Sequence, residues 1–210
     1  MAAMPTLTPS PPPSLPGTAA LYDLVLALGE RRSMGALRAA TLARACGRTL
    51  EIGAGTGLNL PHYPRAVTEL TLTEPDRAMA RRLRRRAGAH AVLHADATAL
   101  PFADAAFDTV VSTMVLCTVP DADAAAAELR RVLAPRGTLL FIEHVRAADA
   151  RTARRQDRWE RPWAVFGAGC RCNRDTLGHL RRHFALEELS HHRWRGMPGI
   201  VQPLAVGSAR

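Results

Sequence analysis

The sequence contains no lysine. All 28 of its basic residues are arginine, and with 19 acidic residues they give a formal net charge of +9. A charge of this size can indicate a nucleic-acid surface. The absence of lysine beside abundant alanine instead indicates a compositional bias of the coding sequence, with solvated arginines on helix faces. We therefore expect no nucleic-acid partner, although an RNA substrate stays open.

The sequence also lacks long apolar runs and an export signal. No run approaches the roughly 20 apolar residues that a membrane span needs, and no charged segment followed by an apolar one directs export. We therefore expect a cytoplasmic protein whose few cysteines are reduced thiols: Cys46, Cys117, Cys170 and Cys172. The 210 residues are enough for one domain with a full core.

The first residues differ in composition from the rest. Residues 1–17 carry six prolines among serine and threonine, which predicts a disordered tail. Residues 18–210 are expected to form a single domain. Within it, residues 18–46 predict an N-terminal cap of two amphipathic helices interrupted at Gly29 and Gly35. Such helices can cover the sheet edge or cap a cofactor pocket.

From residue 48 onward, apolar runs alternate with helical patterns. Strands are predicted at 48–53, 68–73, 90–95, 107–115, 137–145, 186–193 and 200–206, and helices at 57–62, 76–87, 121–134 and 175–184. This alternation favours an α/β, Rossmann-like, doubly wound and mostly parallel sheet, in which the last two strands can pair antiparallel. Asp121 is a predicted N-cap, and Pro135 and Gly137 should end that helix. Residues 146–175 break the rhythm and predict a substrate-side insertion.

The first strand leads into a glycine-rich loop. Glycines at 53, 55 and 57 let the chain turn sharply and approach a ligand closely. A dinucleotide fingerprint would read G-x-G-x-x-G, but here the third glycine comes one residue early. The carboxylate of Glu51 would repel a pyrophosphate and attract the ammonium of an amino-acid ligand. The loop therefore favours S-adenosylmethionine over NAD.

Two further acids follow the next strands. Glu74 comes 21 positions after Gly53 (74 minus 53) and can accept hydrogen bonds from both ribose hydroxyls. Asp96 can accept from the adenine amino group while the Ala97 N–H meets a ring nitrogen. The alternative for Asp96 is a cap of the following turn.

These features resemble the class I S-adenosylmethionine-dependent methyltransferases, in the type 11 methyltransferase-domain group, over residues 50–136. Further segments are similar to the alkyl-thiol methyltransferase branch and its bacterial relatives: Asn59 to Pro64, Met114 to Val119, Phe141 to Val145, and Gly169-Cys170 with Asn173-Arg174. We expect the protein to lack the apolar N-terminal anchor of the animal members.

The resemblance implies the class I fold, a seven-stranded sheet with an antiparallel last strand. It also implies S-adenosylmethionine as cofactor and S-adenosylhomocysteine as product. The implied cofactor residues are Glu51, Gly53, Ala54, Gly55, Thr56, Gly57, Asn59, Glu74, Pro75, Asp96, Ala97, Thr113 and Met114.

Several functions remain open at this point. The leading hypothesis is methyl transfer to a small-molecule acceptor such as a thiol. The alternatives are a C- or O-methyltransferase of a quinone or polyketide-like metabolite, a phospholipid amine methyltransferase, a dinucleotide-dependent oxidoreductase, and a non-enzymatic adenosyl-ligand sensor. Peripheral membrane contact is compatible with the sequence, and the oligomeric state is not predicted.

The acceptor side offers one candidate catalytic group. A thiol acceptor must lose a proton, which an imidazole can assist, so we predict His144 as base or positioning group, with Glu143 or His62 behind it. A structural histidine is the alternative. Methyl transfer needs no metal, and we expect none; a zinc site at Cys170, Cys172, His179 and His183 is a minor alternative. Trp159, Trp163 and Phe166 can line an acceptor pocket or cover the sheet.

Overall fold

A seven-stranded sheet forms the centre of the molecule. The structure is a computed structural model that describes residues 26–210, so the predicted tail at 1–17 and the start of the helical cap lie outside the described residues. The strands, numbered along the chain, are β1 (Gly47–Ile52), β2 (Val67–Thr73), β3 (Ala91–Leu93), β4 (Phe107–Thr113), β5 (Leu133–His144), β6 (Leu186–Arg193) and β7 (Pro203–Ala209). Their order in the sheet is β3-β2-β1-β4-β5-β7-β6.

Strand direction follows the predicted pattern. β1 to β5 run parallel, and β7 is antiparallel to both β5 and β6. The inner strands are apolar on both faces because helices cover both sides, as the fully buried Val110 and Ile142 illustrate. The predicted seven-stranded, mostly parallel sheet with an antiparallel last strand is confirmed.

Helices α1 (Gly35–Leu42), α2 (Arg77–Arg86), α3 (Ala122–Val132), α4 (Ala150–Phe166) and α5 (Thr176–His183) pack against this sheet. Aspartate side chains cap the last four helices by accepting hydrogen bonds from backbone N–H groups: Asp76, Asp121, Asp149 and Asp175. Of these, the N-cap at Asp121 was predicted from the sequence. The predicted helix at 57–62 is reduced to a 3-10 turn, Leu60–His62.

The sequence-based boundary after α3 was wrong. The helix ends at Val132 and β5 begins at Leu133, so Pro135 and Gly137 lie inside the strand rather than ahead of it. The pairing of β4 with β5 shifts register here, between Phe107 and Thr109. A proline can occupy a strand at such an irregularity because its missing N–H removes no regular ladder bond.

The two glycines in the cap do not interrupt the helix. Residues 26–42 are helical throughout, with a π-helical turn at Glu30–Met34. Gly29 and Gly35 both have right-handed helical backbone angles. The prediction of two separate helices is therefore wrong for the described part of the cap, because the π turn absorbs the irregularity.

The predicted insertion at 146–175 is largely helical. It contains α4, a 17-residue helix, followed by a loop that returns to α5. Within residues 26–210, no helix has the length and apolar character required to cross a membrane.

Candidate functional site

The glycine loop leaves β1 at the carboxyl edge of the sheet. Gly53, Gly55 and Gly57 all have positive φ, the region that glycine adopts without strain. A Cβ on Gly53 would lie 2.7 Å from Val115 Cγ2, whereas a Cβ on Gly55 would meet nothing within 4 Å. Gly55 therefore combines a left-handed backbone with open space, as a loop that approaches a ligand requires.

Glu74 connects the loop to the end of β2. One carboxylate oxygen accepts from the Gly55 amide at 2.7 Å and the other from the Asp76 amide at 2.8 Å. Burial raises the pKa of Glu74 to about 6, against the lowering effect of these two bonds. A carboxylate has about four lone-pair sites, so capacity remains for ribose hydroxyls.

Glu51 is a buried acid beneath the loop. Its carboxylate accepts from Asn59 Nδ2 at 2.9 Å and from the Tyr63 hydroxyl at 2.7 Å. Burial raises the pKa of Glu51 to about 7, although both bonds favour the charged form. A cationic group placed nearby would therefore bind best when Glu51 is ionised.

The N-terminal helix reaches this acid through Asn59. Arg38, buried on α1, donates to Asn59 Oδ1 at 2.7 Å and forms a salt bridge with Glu30 at 2.9 Å. Asn59 Nδ2 also lies 3.1 Å from the Thr113 hydroxyl at the end of β4. One amide side chain thus joins the cap, the loop and β4.

Asp96 and Ala97 follow β3 as expected. Asp96 Oδ1 accepts from both the amide and the hydroxyl of Thr98 at 2.8 Å, so it does cap the following turn. Both of these bonds use the same oxygen. Cap and adenine acceptor are therefore compatible roles for Asp96.

Met114 has strained backbone at the end of β4. Its φ of 60° is unusual for a residue with a side chain, and its amide donates to Ile142 O at 2.8 Å. Such strain concentrates at binding sites. The structure also places the remaining predicted cofactor residues in the loop or directly after β2: Ala54, Thr56 and Pro75.

Glu143 organises the turn that follows β4. Its buried carboxylate accepts from the Ser112 hydroxyl at 2.6 Å and from the amides of Val115, Leu116 and Cys117 at 3.0, 3.2 and 3.4 Å. Because the Ser112 hydroxyl and these amides occupy the carboxylate, Glu143 acts on the neighbouring His144 ring through its charge.

His144, Cys117 and Cys170 form a buried cluster at the ends of β4 and β5. His144 Nδ1 lies 3.5 Å from Cys117 Sγ and 3.2 Å from Cys170 Sγ. The Cys117 thiol and the His144 ring outweigh burial and lower the pKa of Cys170. Burial lowers the pKa of His144, but the Cys170 thiolate and Glu143 outweigh that effect and raise it above its ordinary value.

The alternative zinc set from the sequence is not assembled. His179 and His183 face Asp123, at 3.6 and 3.4 Å, whereas Cys170 faces Cys117 and His144. Because His179 and His183 are four residues apart, they lie on the same side of α5. That side faces Asp123 on α3 and not Cys170.

The aromatic residues of the insertion divide into two groups. Trp163 packs on the apolar cluster that contains Cys117, Cys170 and Trp194. Trp159 is 51% exposed and Phe166 is 81% exposed. Trp163 thus covers the apolar interior, and the other two do not.

Sequence reasoning missed three residues of this region. Arg38 gave no signal, since it is one arginine among 28. Tyr63 lies in the segment from Asn59 to Pro64, but no role was predicted for it, although its hydroxyl donates to Glu51. Arg174 was likewise given no role, although its guanidinium donates to the carbonyls of Leu116 and Val119 at 2.7 and 2.6 Å.

Residues 50–141 match a family described as "Methyltransferase domain". A thiol S-methyltransferase of Rattus norvegicus is 32% identical over 141 residues, which are 63% of this chain and 57% of the relative. The chain thus spans little more than half the length of that relative.

Two bacterial relatives act on other acceptors by their names. A malonyl-[acyl-carrier protein] O-methyltransferase of Enterobacter lignolyticus is 33% identical over 77% of this chain and 64% of its own length. A phosphatidylethanolamine N-methyltransferase of Cereibacter sphaeroides is 36% identical over 47% of this chain and 51% of its own length.

Solved structures share the fold. A Thermotoga maritima protein described as a possible histamine N-methyltransferase superposes with a TM-score of 0.67 at 22% identity, over 90% of this chain and 94% of that one. The N-methyltransferase NodS of Bradyrhizobium japonicum with S-adenosyl-L-homocysteine gives a TM-score of 0.63 at 20% identity, over 87% of each chain.

Proposed function

Residues 50–141 carry a methyltransferase domain, and on that premise we propose that the protein is an S-adenosylmethionine-dependent methyltransferase of a small-molecule acceptor. The observation that carries the proposal is the bond between the Gly55 amide and the Glu74 carboxylate, 2.7 Å long. It holds a ribose-binding acid against a glycine loop whose open space suits an adenosyl ligand.

The cofactor residues have separate tasks in this proposal. Glu74 accepts from the ribose hydroxyls, Asp96 and Ala97 contact the adenine, and Glu51 attracts the ammonium of the methionine part. When bound, S-adenosylmethionine supplies a methyl group on a sulfonium, which an aligned nucleophile can displace without a metal. The protein therefore acts by alignment and by excluding water.

The acceptor lies on the apolar side of this edge. Leu58, Met114 and Trp163 are partly buried against the cluster around Trp194, so the surroundings favour a lipophilic acceptor over a highly charged one. A thiol is our leading candidate, supported by the rat relative. His144 stays the predicted base or positioning group.

Calorimetric titration with S-adenosylmethionine, S-adenosylhomocysteine and NADH tests the cofactor. We expect both adenosyl ligands to bind and NADH not to bind; the reverse pattern would identify an oxidoreductase. Turnover against thiols, phenols, quinones and amines then tests the acceptor. Binding without any turnover would support a ligand sensor, and turnover only with quinones or phenols would support the C- or O-methyltransferase alternative.

We also propose that α4 contacts membrane surfaces. It combines exposed Trp159, Val165 and Phe166 with five exposed arginines, at 151, 154, 155, 158 and 161. This is the pattern of helices that lie in an anionic bilayer interface. It supports peripheral access to a lipophilic or phospholipid acceptor from a cytoplasmic location.

Sedimentation with lipid vesicles tests this contact. We expect the protein to bind phosphatidylserine vesicles and not phosphatidylcholine vesicles. The double variant Val165→Ser, Phe166→Ser should lose binding, whereas Leu189→Ser, at an exposed apolar residue of β6, should retain it. Equal binding by both variants would exclude α4 as the contact.

A further inference from the structure

Three metal-binding side chains meet where β4 and β5 end. Cys117 follows β4, His144 ends β5, and Cys170 lies in the loop after α4. All three are buried, at 0%, 4% and 4% exposure. Their ligating atoms lie within 4.8 Å of one another. Methyl transfer does not require this cluster, so its composition calls for a separate account.

The distances within the cluster match those between ligands of one tetrahedral ion. Zinc bonds of about 2.3 Å to sulfur and about 2.0 Å to nitrogen place two sulfurs about 3.8 Å apart and a sulfur and a nitrogen about 3.5 Å apart. The two Sγ atoms here are 3.7 Å apart, and Nδ1 lies 3.5 and 3.2 Å from them. Small side-chain shifts would suffice to bind the ion.

Surrounding bonds hold these ligands in place. The Cys117 amide donates to Glu143 and its carbonyl accepts from the Arg171 amide at 2.8 Å. The Thr176 hydroxyl donates to the His144 carbonyl at 2.9 Å. Gly169, next to Cys170, takes a φ of 85°. A metal site needs such support because it fixes ligand orientation.

We propose that Cys117, His144 and Cys170 form a zinc site. Two cysteines and one histidine are a known zinc donor set that leaves a fourth position for water or another small ligand. Two thiolates would neutralise the ion, which reduces the free-energy cost of burying it. In this site His144 is a metal ligand, and this role replaces the base or positioning role proposed above.

A disulfide between the two cysteines fits less well. The two sulfurs lie 3.7 Å apart, well beyond the bond length of about 2.05 Å in a disulfide. A metal-free cluster of hydrogen-bonded thiols is the remaining alternative, and metal titration separates it from the zinc site.

Cobalt substitution provides the first test. The protein is purified under reducing conditions, stripped of metal with a chelator and titrated with Co²⁺. We expect one Co²⁺ per chain, with the intense visible absorption of tetrahedral cobalt bound by thiolates, and its loss when Zn²⁺ is added. Cys117→Ser and Cys170→Ser should lose the absorption. Cys172→Ser is the matched control, since Cys172 is equally buried but lies outside the cluster. This variant should retain the absorption.

Zinc X-ray absorption of the unaltered protein provides a test that does not depend on folded variants. We expect two sulfur and one nitrogen ligands in the shell. A shell without sulfur would overturn the proposal. So would a folded wild-type protein that shows no cobalt–thiolate absorption, or a folded Cys117→Ser protein that binds metal as the wild type does. Neither experiment depends on methyl transfer.

Discussion

The Gly55 amide donates to the Glu74 carboxylate across 2.7 Å, so the glycine loop and the acid behind β2 position each other. The bond joins two residues 19 positions apart, and with the Asp76 amide it uses both oxygens of the carboxylate. Glu74 therefore couples the geometry of the loop to its own proposed role in ribose recognition.

Replacing Glu74 should weaken cofactor binding. Glu74→Ala removes the acceptor for the ribose hydroxyls and for the Gly55 amide, and bonds to a charged group are worth about 1.5–3 kcal/mol each. We expect affinity for S-adenosylmethionine to fall by about 10- to 100-fold in calorimetric titration. Glu69→Ala, at an exposed residue of β2, the strand that precedes Glu74, should leave affinity unchanged. Equal affinities of the two variants would contradict the ribose assignment.

Two aspartates with equivalent caps test the adenine assignment. Asp96 and Asp121 each accept two hydrogen bonds at the start of a turn or helix. Asp96→Ala and Asp121→Ala should each reduce stability by about 1 kcal/mol in urea unfolding. Only Asp96→Ala should also reduce cofactor affinity. If both bind normally, Asp96 is a cap alone.

Gly55 and Gly88 form a second matched pair. Both have positive φ, 58° and 59°, and a Cβ at either would meet nothing within 4 Å. Alanine should therefore destabilise both by about 1–2 kcal/mol through backbone strain. In Gly55→Ala the added methyl group would also occupy space proposed for the ligand. The affinity of Gly55→Ala for S-adenosylmethionine should therefore fall, while the affinity of Gly88→Ala stays near wild type.

Buried Glu51 should make stability depend on pH. Its pKa rises from 4.5 unfolded to about 7 folded, so between these values the folded state binds more protons and the free energy of unfolding falls as pH rises. The full effect is about 3 kcal/mol. Urea unfolding from about pH 5 to about pH 8 should show this slope, and Glu51→Gln should flatten it. An unchanged slope in the variant would assign the effect to other groups, such as Glu74.

Arg38 should support the loop from a distance. Arg38→Met removes the donor to Asn59 Oδ1 and the salt-bridge partner of Glu30, which should cost about 2 kcal/mol in urea unfolding and loosen Asn59 beneath the glycine loop. Arg31→Met, at an exposed position of the same helix, should be neutral. A double-mutant cycle with Asn59→Ala measures the coupling, and additive effects would show that the 2.7 Å bond contributes nothing.

The placement of the residues in the proposed cofactor site could be predicted from the sequence because its determinants are local. Three glycines that require positive φ follow one strand, and Glu74 and Asp96 follow the next two. The strand order then brings these ends together. Periodicity likewise predicted most strands, but it placed breaks at Gly29 and Gly35, where a π turn keeps the helix continuous.

The acceptor side could not be predicted in this way. Cys117 and Cys170 are 53 positions apart, and they meet only because the loop after α4 folds back over the turn after β4. The histidines with helical spacing were the more visible signal, yet they face Asp123. Arg38 contributes through a long-range contact that no local pattern encodes.

The position of β7 has a consequence for the order of assembly. β6 joins the sheet through β7 alone, although it precedes β7 in the chain. β6 and β7 are close in the chain, whereas β7 pairs with β5 from His144 with Leu204 to Leu139 with Ala209, so docking of the β6–β7 pair on β5 is a long-range and slow step. A substitution that blocks β7 should release both strands together. Gly207 is the sensitive position, because a Cβ there would collide with the backbone of Glu188 on β6 and with Phe141 on β5.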